Sequence, residues 1–278
     1  MKTVLINDVP VSYVDEGEGY PVVLLHSSGS SHHQWRGLID SLSDRYRVIA
    51  PDFHGHGDTP LPGEIKDLSI TDDVYIIQAI AGLVGEPFHL VGHSYGGAIA
   101  LQAAREMKNL LLSLTLVEPA AFFLLRRSGE TAAWREIFSI AVHIIQLVER
   151  GKAESGAEQF ISYWWGPEAW GAMAEERRQA VIECLPGIGA IFGGLLHEST
   201  PVEDYGQVEA STLLLRGART TLAASRVTEL LEQVLPNKNL VEIEDAGHMA
   251  PVTHSAQVNE AISAHLDQQT FVRWQRSA

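Results

Sequence analysis

A serine set between glycines, Gly92-His93-Ser94-Tyr95-Gly96-Gly97, follows directly on the apolar run Pro87-Phe88-His89-Leu90-Val91 and leads into Ala98-Ile99-Ala100-Leu101-Gln102-Ala103-Ala104. A Gly-x-Ser-x-Gly sequence between a strand and a helix holds its central residue in a strained backbone conformation, with the side chain exposed at the tip of the turn. The glycines are needed because a Cβ at either place would strike the neighbouring strand or helix. The first N–H groups of the following helix point back at the serine and favour negative charge there. Ser94 is therefore predicted to be a nucleophile; the alternative is a tight strand–helix turn with no chemistry.

A serine hydroxyl attacks only when a base removes its proton. Among the twelve histidines, His248 in Asp245-Ala246-Gly247-His248-Met249-Ala250-Pro251 follows the last strand pattern and precedes the last helix pattern. That puts it on a loop at the same sheet edge as Ser94, and it is the predicted base. His93 is expected to point back toward the sheet, and His54 and His56, in Asp52-Phe53-His54-Gly55-His56-Gly57, to shape a glycine-rich loop. A developing oxyanion needs two backbone donors. The residue after the nucleophile, Tyr95, supplies one N–H, and the loop His26-Ser27-Ser28-Gly29 supplies the other, which we assign to Ser28.

The elements that must position these groups alternate along the chain. Residues 3–14 form two short strands around Asn7-Asp8. Continuous apolar runs at Val22–Leu25, Arg47–Ala50, Phe88–Val91, Leu114–Val117, Thr212–Leu215 and Leu240–Ile243 have the character of strands buried on both faces. Helical patterns lie near 34–43, 71–85, 97–107, 225–235 and 255–267. This alternation predicts an α/β fold, a mostly parallel sheet with helices on both faces and an antiparallel hairpin at one edge. Some ninety residues between Val117 and Thr212 lack any buried-strand run. They read as helices over Thr131–Arg150, Ala153–Tyr163, Ala174–Leu185 and Ala190–His197, inserted above the carboxyl ends of the strands.

Composition limits the function. The chain has 278 residues, 45% of them hydrophobic, and a formal net charge of −15, so it repels phosphate backbones and anionic lipid, and neither nucleic-acid nor membrane-surface binding is expected. The single cysteine, Cys184, reads as a core thiol. The first residues lack the layout of a secretory signal, and no uninterrupted apolar run approaches the roughly 18 residues of a membrane span; a cytoplasmic protein is expected. The Asp52–His56 stretch has ligand-type residues but no cysteine cluster beside it, so no metal is expected. The serine loop lacks a phosphate-loop lysine, and nucleotide binding is not expected.

Three motifs in order, Gly92-His93-Ser94-Tyr95-Gly96, Asp52-Phe53-His54-Gly55-His56-Gly57 and Asp245-Ala246-Gly247-His248, resemble those of α/β-hydrolase fold enzymes with a helical cap. The resemblance covers residues 1–120 and 205–278 as catalytic domain, and 121–204 as cap by position. It implies an eight-stranded core and a cap that roofs the pocket and selects substrates. Ser27 departs from the glycine that usually follows His26 in this family. The family's acid usually follows the seventh strand, but Arg216-Gly217-Ala218-Arg219-Thr220-Thr221 contains none. The fold's alternative place for it, after the sixth strand, holds Glu118, which the resemblance makes the candidate partner of His248. A Ser–His dyad or a more distant acid stays open, and Asp245 reads as loop-shaping.

Cap aromatics would suit a hydrophobic acyl or aryl group, and Phe122, Phe123, Trp164 and Trp165 are the candidate substrate-binding residues. The expected activity is cofactor-free hydrolysis of a small carboxylic ester through an acyl-enzyme, by a monomer or homodimer. Hydrolysis of a C–C bond or lactone and perhydrolysis are alternatives on the same residues, and a non-catalytic ligand-binding protein is a third.

Overall fold

In the computed structural model, which describes residues 1–62 and 68–277, eight strands form one sheet. They are β1 (Lys2–Ile6), β2 (Val9–Glu16), β3 (Tyr20–Leu25), β4 (Tyr46–Pro51), β5 (Phe88–His93), β6 (Leu111–Val117), β7 (Ser211–Gly217) and β8 (Lys238–Ile243), in spatial order β1-β2-β4-β3-β5-β6-β7-β8. Asn7 and Asp8 both take positive φ (46° and 65°), the conformation that a two-residue hairpin turn requires. The hairpin alters the expected edge in one respect. Because β1 is antiparallel to β2 and β2 is antiparallel to β4, β1 runs the same way as the rest, and β2 alone opposes them.

The apolar runs are continuous because each strand feeds two cores. Val23, Leu25, Leu90, Leu114 and Leu116 face one side, and Val22, Leu24, Val48, Val91 and Val117 the other. Successive strand residues point to opposite faces, so a run buried on both sides must be apolar at every position. The helices are α1 (Arg36–Leu42), α2 (Ile70–Val84), α3 (Tyr95–Glu106), α4 (Phe123–Arg127), α5 (Thr131–Glu149), α6 (Ala153–Trp165), α7 (Ala169–Ala172), α8 (Glu175–His197), α9 (Leu222–Val234), α10 (Ala250–Thr253) and α11 (Ser255–Ser277). Residues of α1 and α11 share the second core, and those of α2, α3 and α9 the first.

Helices α4–α8 form the insertion between β6 and β7. Here the expected break at Pro186-Gly187 is absent, and α8 runs unbroken through Pro186. Packing outweighs the local penalty of proline. Its glycines let α8 approach its neighbours closely, and a Cβ on Gly194 would lie 1.8 Å from the Leu68 carbonyl oxygen. By length and composition α8 could also cross a membrane, with a mean hydropathy of 1.6 in its most apolar window, although Glu183 and Pro186 interrupt any simple apolar run. Since 61% of that window is buried in protein, α8 is the core helix of the insertion.

Candidate active site

Ser94 occupies the turn between β5 and α3 with φ 53° and ψ −116°, a region that costs a non-glycine residue about 1–3 kcal/mol. The surroundings hold it there. Its N–H donates to the Val117 carbonyl at 3.0 Å, and the Ser94 carbonyl accepts from Ala120 N–H at 2.8 Å and Ala98 N–H at 3.0 Å. A Cβ on Gly92 would come within 2.2 Å of the Gly96 carbonyl oxygen, and one on Gly96 within 2.5 Å of the Leu25 and His26 oxygens. Both positions require glycine for close backbone approach.

Three loops converge on this serine. His248, on the loop between β8 and α10, places Nε2 2.9 Å from Ser94 Oγ. Its Nδ1 lies 2.7 Å from Glu118 Oε2. A carboxylate only accepts, so Nδ1 carries the proton and Nε2 is left to accept from the serine hydroxyl. Glu118 follows β6 directly and takes a positive φ of 42°. Gly217 N–H donates to its Oε1 at 2.7 Å, and the Thr220 hydroxyl to Oε2 at 2.5 Å. Ser94, His248 and Glu118 are all buried. His93 is aimed away from the nucleophile and donates from Nε2 to the His248 carbonyl at 2.9 Å; burial pushes its imidazole well below the usual range and keeps it neutral.

The loop after β3 is tied down from three directions. His26 donates from Nδ1 to the Ser27 carbonyl at 2.7 Å, while its Nε2 accepts from Phe53 N–H at 3.1 Å. Burial, then repulsion from His56, pushes the His26 imidazole down to about 4, so it stays neutral. The Ser27 N–H and hydroxyl both donate to Gln34 Oε1, at 3.1 and 2.8 Å, which gives the serine that replaces the family's glycine a structural task. Gly96 N–H closes the loop onto α3 through the His26 carbonyl at 3.1 Å. Among the described residues, the N–H groups of Ser28 and Tyr95 have no acceptor.

Asp52, Asp73, His32, His54 and His56 build the neighbouring loops. Asp52 accepts from His32 N–H at 2.7 Å, His32 Nδ1 at 2.9 Å and Asp58 N–H at 3.0 Å. Asp73 receives the Tyr95 hydroxyl and His54 Nδ1, both at 2.6 Å, and His56 donates to the His54 carbonyl at 2.9 Å. The Tyr95 side chain thus turns into the core, and burial raises its phenol well above the usual value. Asp245 pairs with Arg219 in solvent.

Comparison with known proteins gives the family. A match to the alpha/beta hydrolase family extends over residues 22–261. The chain belongs to that family. Among its relatives, the pimeloyl-[acyl-carrier protein] methyl ester esterase of Aeromonas hydrophila is 27% identical over 257 residues, covering 88% of this chain and 95% of that protein. The 2-hydroxymuconate semialdehyde hydrolase of a Pseudomonas species is 26% identical, covering 91% of this chain and 88% of that protein. The crystal structure of the enol-lactonase from Burkholderia xenovorans superposes with a TM-score of 0.79 at 15% identity, covering 96% of this chain and all (100%) of that one, a likeness of fold.

In this alpha/beta hydrolase a cavity of about 730 Å³ opens beside Ser94 and His248, between the strand-end loops and the insertion. The loop after β3 lines it with Ser27, Ser28, Ser30, Ser31 and Gln34, and the insertion with Phe160, Ile161, Trp164, Trp165, Met173 and Val181 together with Arg177 and Glu183. Of the four candidate substrate-binding residues, Trp164 and Trp165 line this cavity. Phe122 and Phe123 do not. Both are buried at the start of α4, and Phe122 stacks on Trp164 with ring centroids 6.0 Å apart and planes 15° from parallel. Phe160 was not among the candidates. It lies four residues before Trp164 on α6, so the two share a helix face, and that spacing is the signal that could have found it.

Proposed function

We propose that this protein hydrolyses carboxylic esters through an acyl-enzyme on Ser94, with His248 as base and Glu118 as the acid of the triad. The observation that carries the reading is the unbroken hydrogen-bond chain from Ser94 Oγ through His248 to Glu118, at 2.9 and 2.7 Å, with Ser94 and His248 lining a cavity. Ser94 Oγ attacks the ester carbonyl while His248 Nε2 takes its proton. Glu118 stabilises the resulting imidazolium and holds the ring orientation. The unpartnered N–H groups of Ser28 and Tyr95 receive the oxyanion; one such donor is worth about 2.7–4 kcal/mol of transition-state stabilisation. His248 then protonates the leaving alcohol, and water activated by the same ring releases the acid.

The insertion, residues 121–204, acts as the cap, and its wall of Phe160, Ile161, Trp164 and Trp165 takes a hydrophobic acyl or aryl group of a small ester. The relative named as a methyl ester esterase supports ester chemistry. Hydrolysis of p-nitrophenyl esters from acetate to decanoate, measured beside Ser94→Ala, tests the reading. Turnover with a chain-length optimum that disappears in Ser94→Ala is expected. Absence of turnover across the series, or turnover surviving the substitution, removes it.

A further inference from the structure

The indole of Trp164 does more than line the cavity. It lies on the imidazole of His248, with ring centroids 4.0 Å apart and planes 30° from parallel. The contact crosses from the insertion to the sheet, since Trp164 belongs to α6 and His248 to the loop after β8. Neighbouring aromatics hold the indole in place. Tyr163 meets it edge-on at 4.5 Å, and Phe160 at 6.5 Å. The Tyr163 hydroxyl is itself fixed by donation to Glu136 Oε1 at 2.7 Å.

Four groups face the His248 ring: the Glu118 carboxyl group from the loop after β6, the Ser94 hydroxyl from the turn after β5, the His93 ring 5.2 Å away on β5, and Trp164. His93 is neutral and offers the ring no charge. When His248 takes the serine proton, its positive charge meets Glu118 at the ring edge and the indole over the ring face. An aromatic face carries negative charge density, and tryptophan is the best of the aromatic residues for holding a cation. Burial strengthens the attraction, and Trp164 is only 7% exposed.

We infer that Trp164 is a positioning residue for the base: its π face stabilises the imidazolium form of His248 and fixes the plane of the ring. This rests on the reading of His248 as general base. The cap on this account forms part of the charge-bearing apparatus as well as roofing the pocket.

The test is a ladder of Trp164→Phe and Trp164→Leu in the full chain, with Ser94→Ala as control, reading kcat, KM and the pH profile of kcat/KM on the best ester. Trp164→Leu should lower kcat about ten-fold, the size of a desolvated cation–π contact. Its acid limb should move to lower pH, because the protonated ring has lost a partner. Trp164→Phe should fall between, which keeps the test open if the leucine variant fails to fold. The Nδ1 proton resonance of enzyme phosphonylated at Ser94 follows the same protonation without turnover: it moves upfield when the ring gives up its Nε2 proton, and the pH midpoint of that move should fall in the order Trp, Phe, Leu. A rise in KM alone, or an acid limb unmoved in both variants, overturns the inference while leaving the ester reading intact. Turnover that survives Ser94→Ala overturns both.

Discussion

The loops leaving β6 and β7 meet at one buried carboxylate from neighbouring strands, and they bring different chemistry to it. The β6 loop brings a carboxylate, Glu118, from a backbone at positive φ. The β7 loop brings only donors, Gly217 N–H and the Thr220 hydroxyl, and both bind that carboxylate. With His248 Nδ1, three hydrogen bonds satisfy a fully buried acid, which would otherwise be costly to desolvate. The strand whose loop carries the acid in the resembled pattern here cradles an acid from next door. In this molecule the carboxylate beside the histidine comes from one strand end and its other two partners from the next. Gly217 cannot carry a side chain in this arrangement, because a Cβ would lie 2.4 Å from the Ala246 carbonyl oxygen, two residues before His248.

The harshest way to break this division of labour is to remove the acid. Glu118→Gln should lower kcat by about 10³–10⁴, since an amide no longer enforces the Nδ1–H tautomer of His248. Loss of less than ten-fold, in steady-state assays on the best ester, would mean that the β6 loop is not the source of the triad acid. A relocation sharpens the comparison further. The Thr220 hydroxyl stands 2.5 Å from Glu118 Oε2, so a carboxylate at 220 would stand beside the place Glu118 vacates. Glu118→Ala with Thr220→Asp should recover at least about ten-fold of the activity lost in Glu118→Ala alone. No recovery in a folded double variant would show that the β7 loop can cradle an acid but cannot present one.

A smaller effect is expected from the cradle itself. Thr220→Val keeps shape but removes a donor to a buried carboxylate, a bond worth about 1.5–3 kcal/mol. We expect kcat/KM to fall about ten-fold with KM nearly unchanged. An unchanged kcat would assign the orientation of Glu118 to Gly217 N–H and His248 alone.

These two loops also mark how far the sequence can be read. Ser94 and His248 were legible because strained turns and strand-end loops leave local signatures: glycines at fixed offsets, and an apolar run before them. Glu118 has no local signature. It follows a strand like many other acids, and only the rule that a triad acid can come from the end of the sixth strand singles it out. The donors that hold it, Gly217 and Thr220, lie about a hundred residues away in the chain, and their partnership exists only once β6 and β7 pair. The sheet was legible from its apolar runs, apart from the direction of β1, which follows from pairing across β2. The insertion was the least legible region. Its helices have core faces but no repeating partner, so sequence does not say whether an aromatic faces cavity or core. Phe122 and Phe160 are both buried, yet Phe160 lines the cavity and Phe122 only stacks on Trp164. Pro186 likewise reads as a break until packing along α8 overrides it.

The smallest effect belongs to the immediate neighbour of Thr220. Arg219 pairs with Asp245 across the β7 and β8 loops but turns outward, with side chains 71% and 62% exposed. Solvent screens such a pair, and exposed ion pairs contribute about 0–1 kcal/mol. Arg219→Ala should therefore shift stability by less than about 0.5 kcal/mol in urea unfolding and leave kcat/KM unchanged. Asp245 holds its loop by a backbone at φ 61°, which the substitution does not touch. If Arg219→Ala instead lowered activity as much as Thr220→Val, the outward pair would be helping to aim His248. The contrast within the β7 loop, between a residue that binds the acid and one that faces water, would then have to be drawn differently.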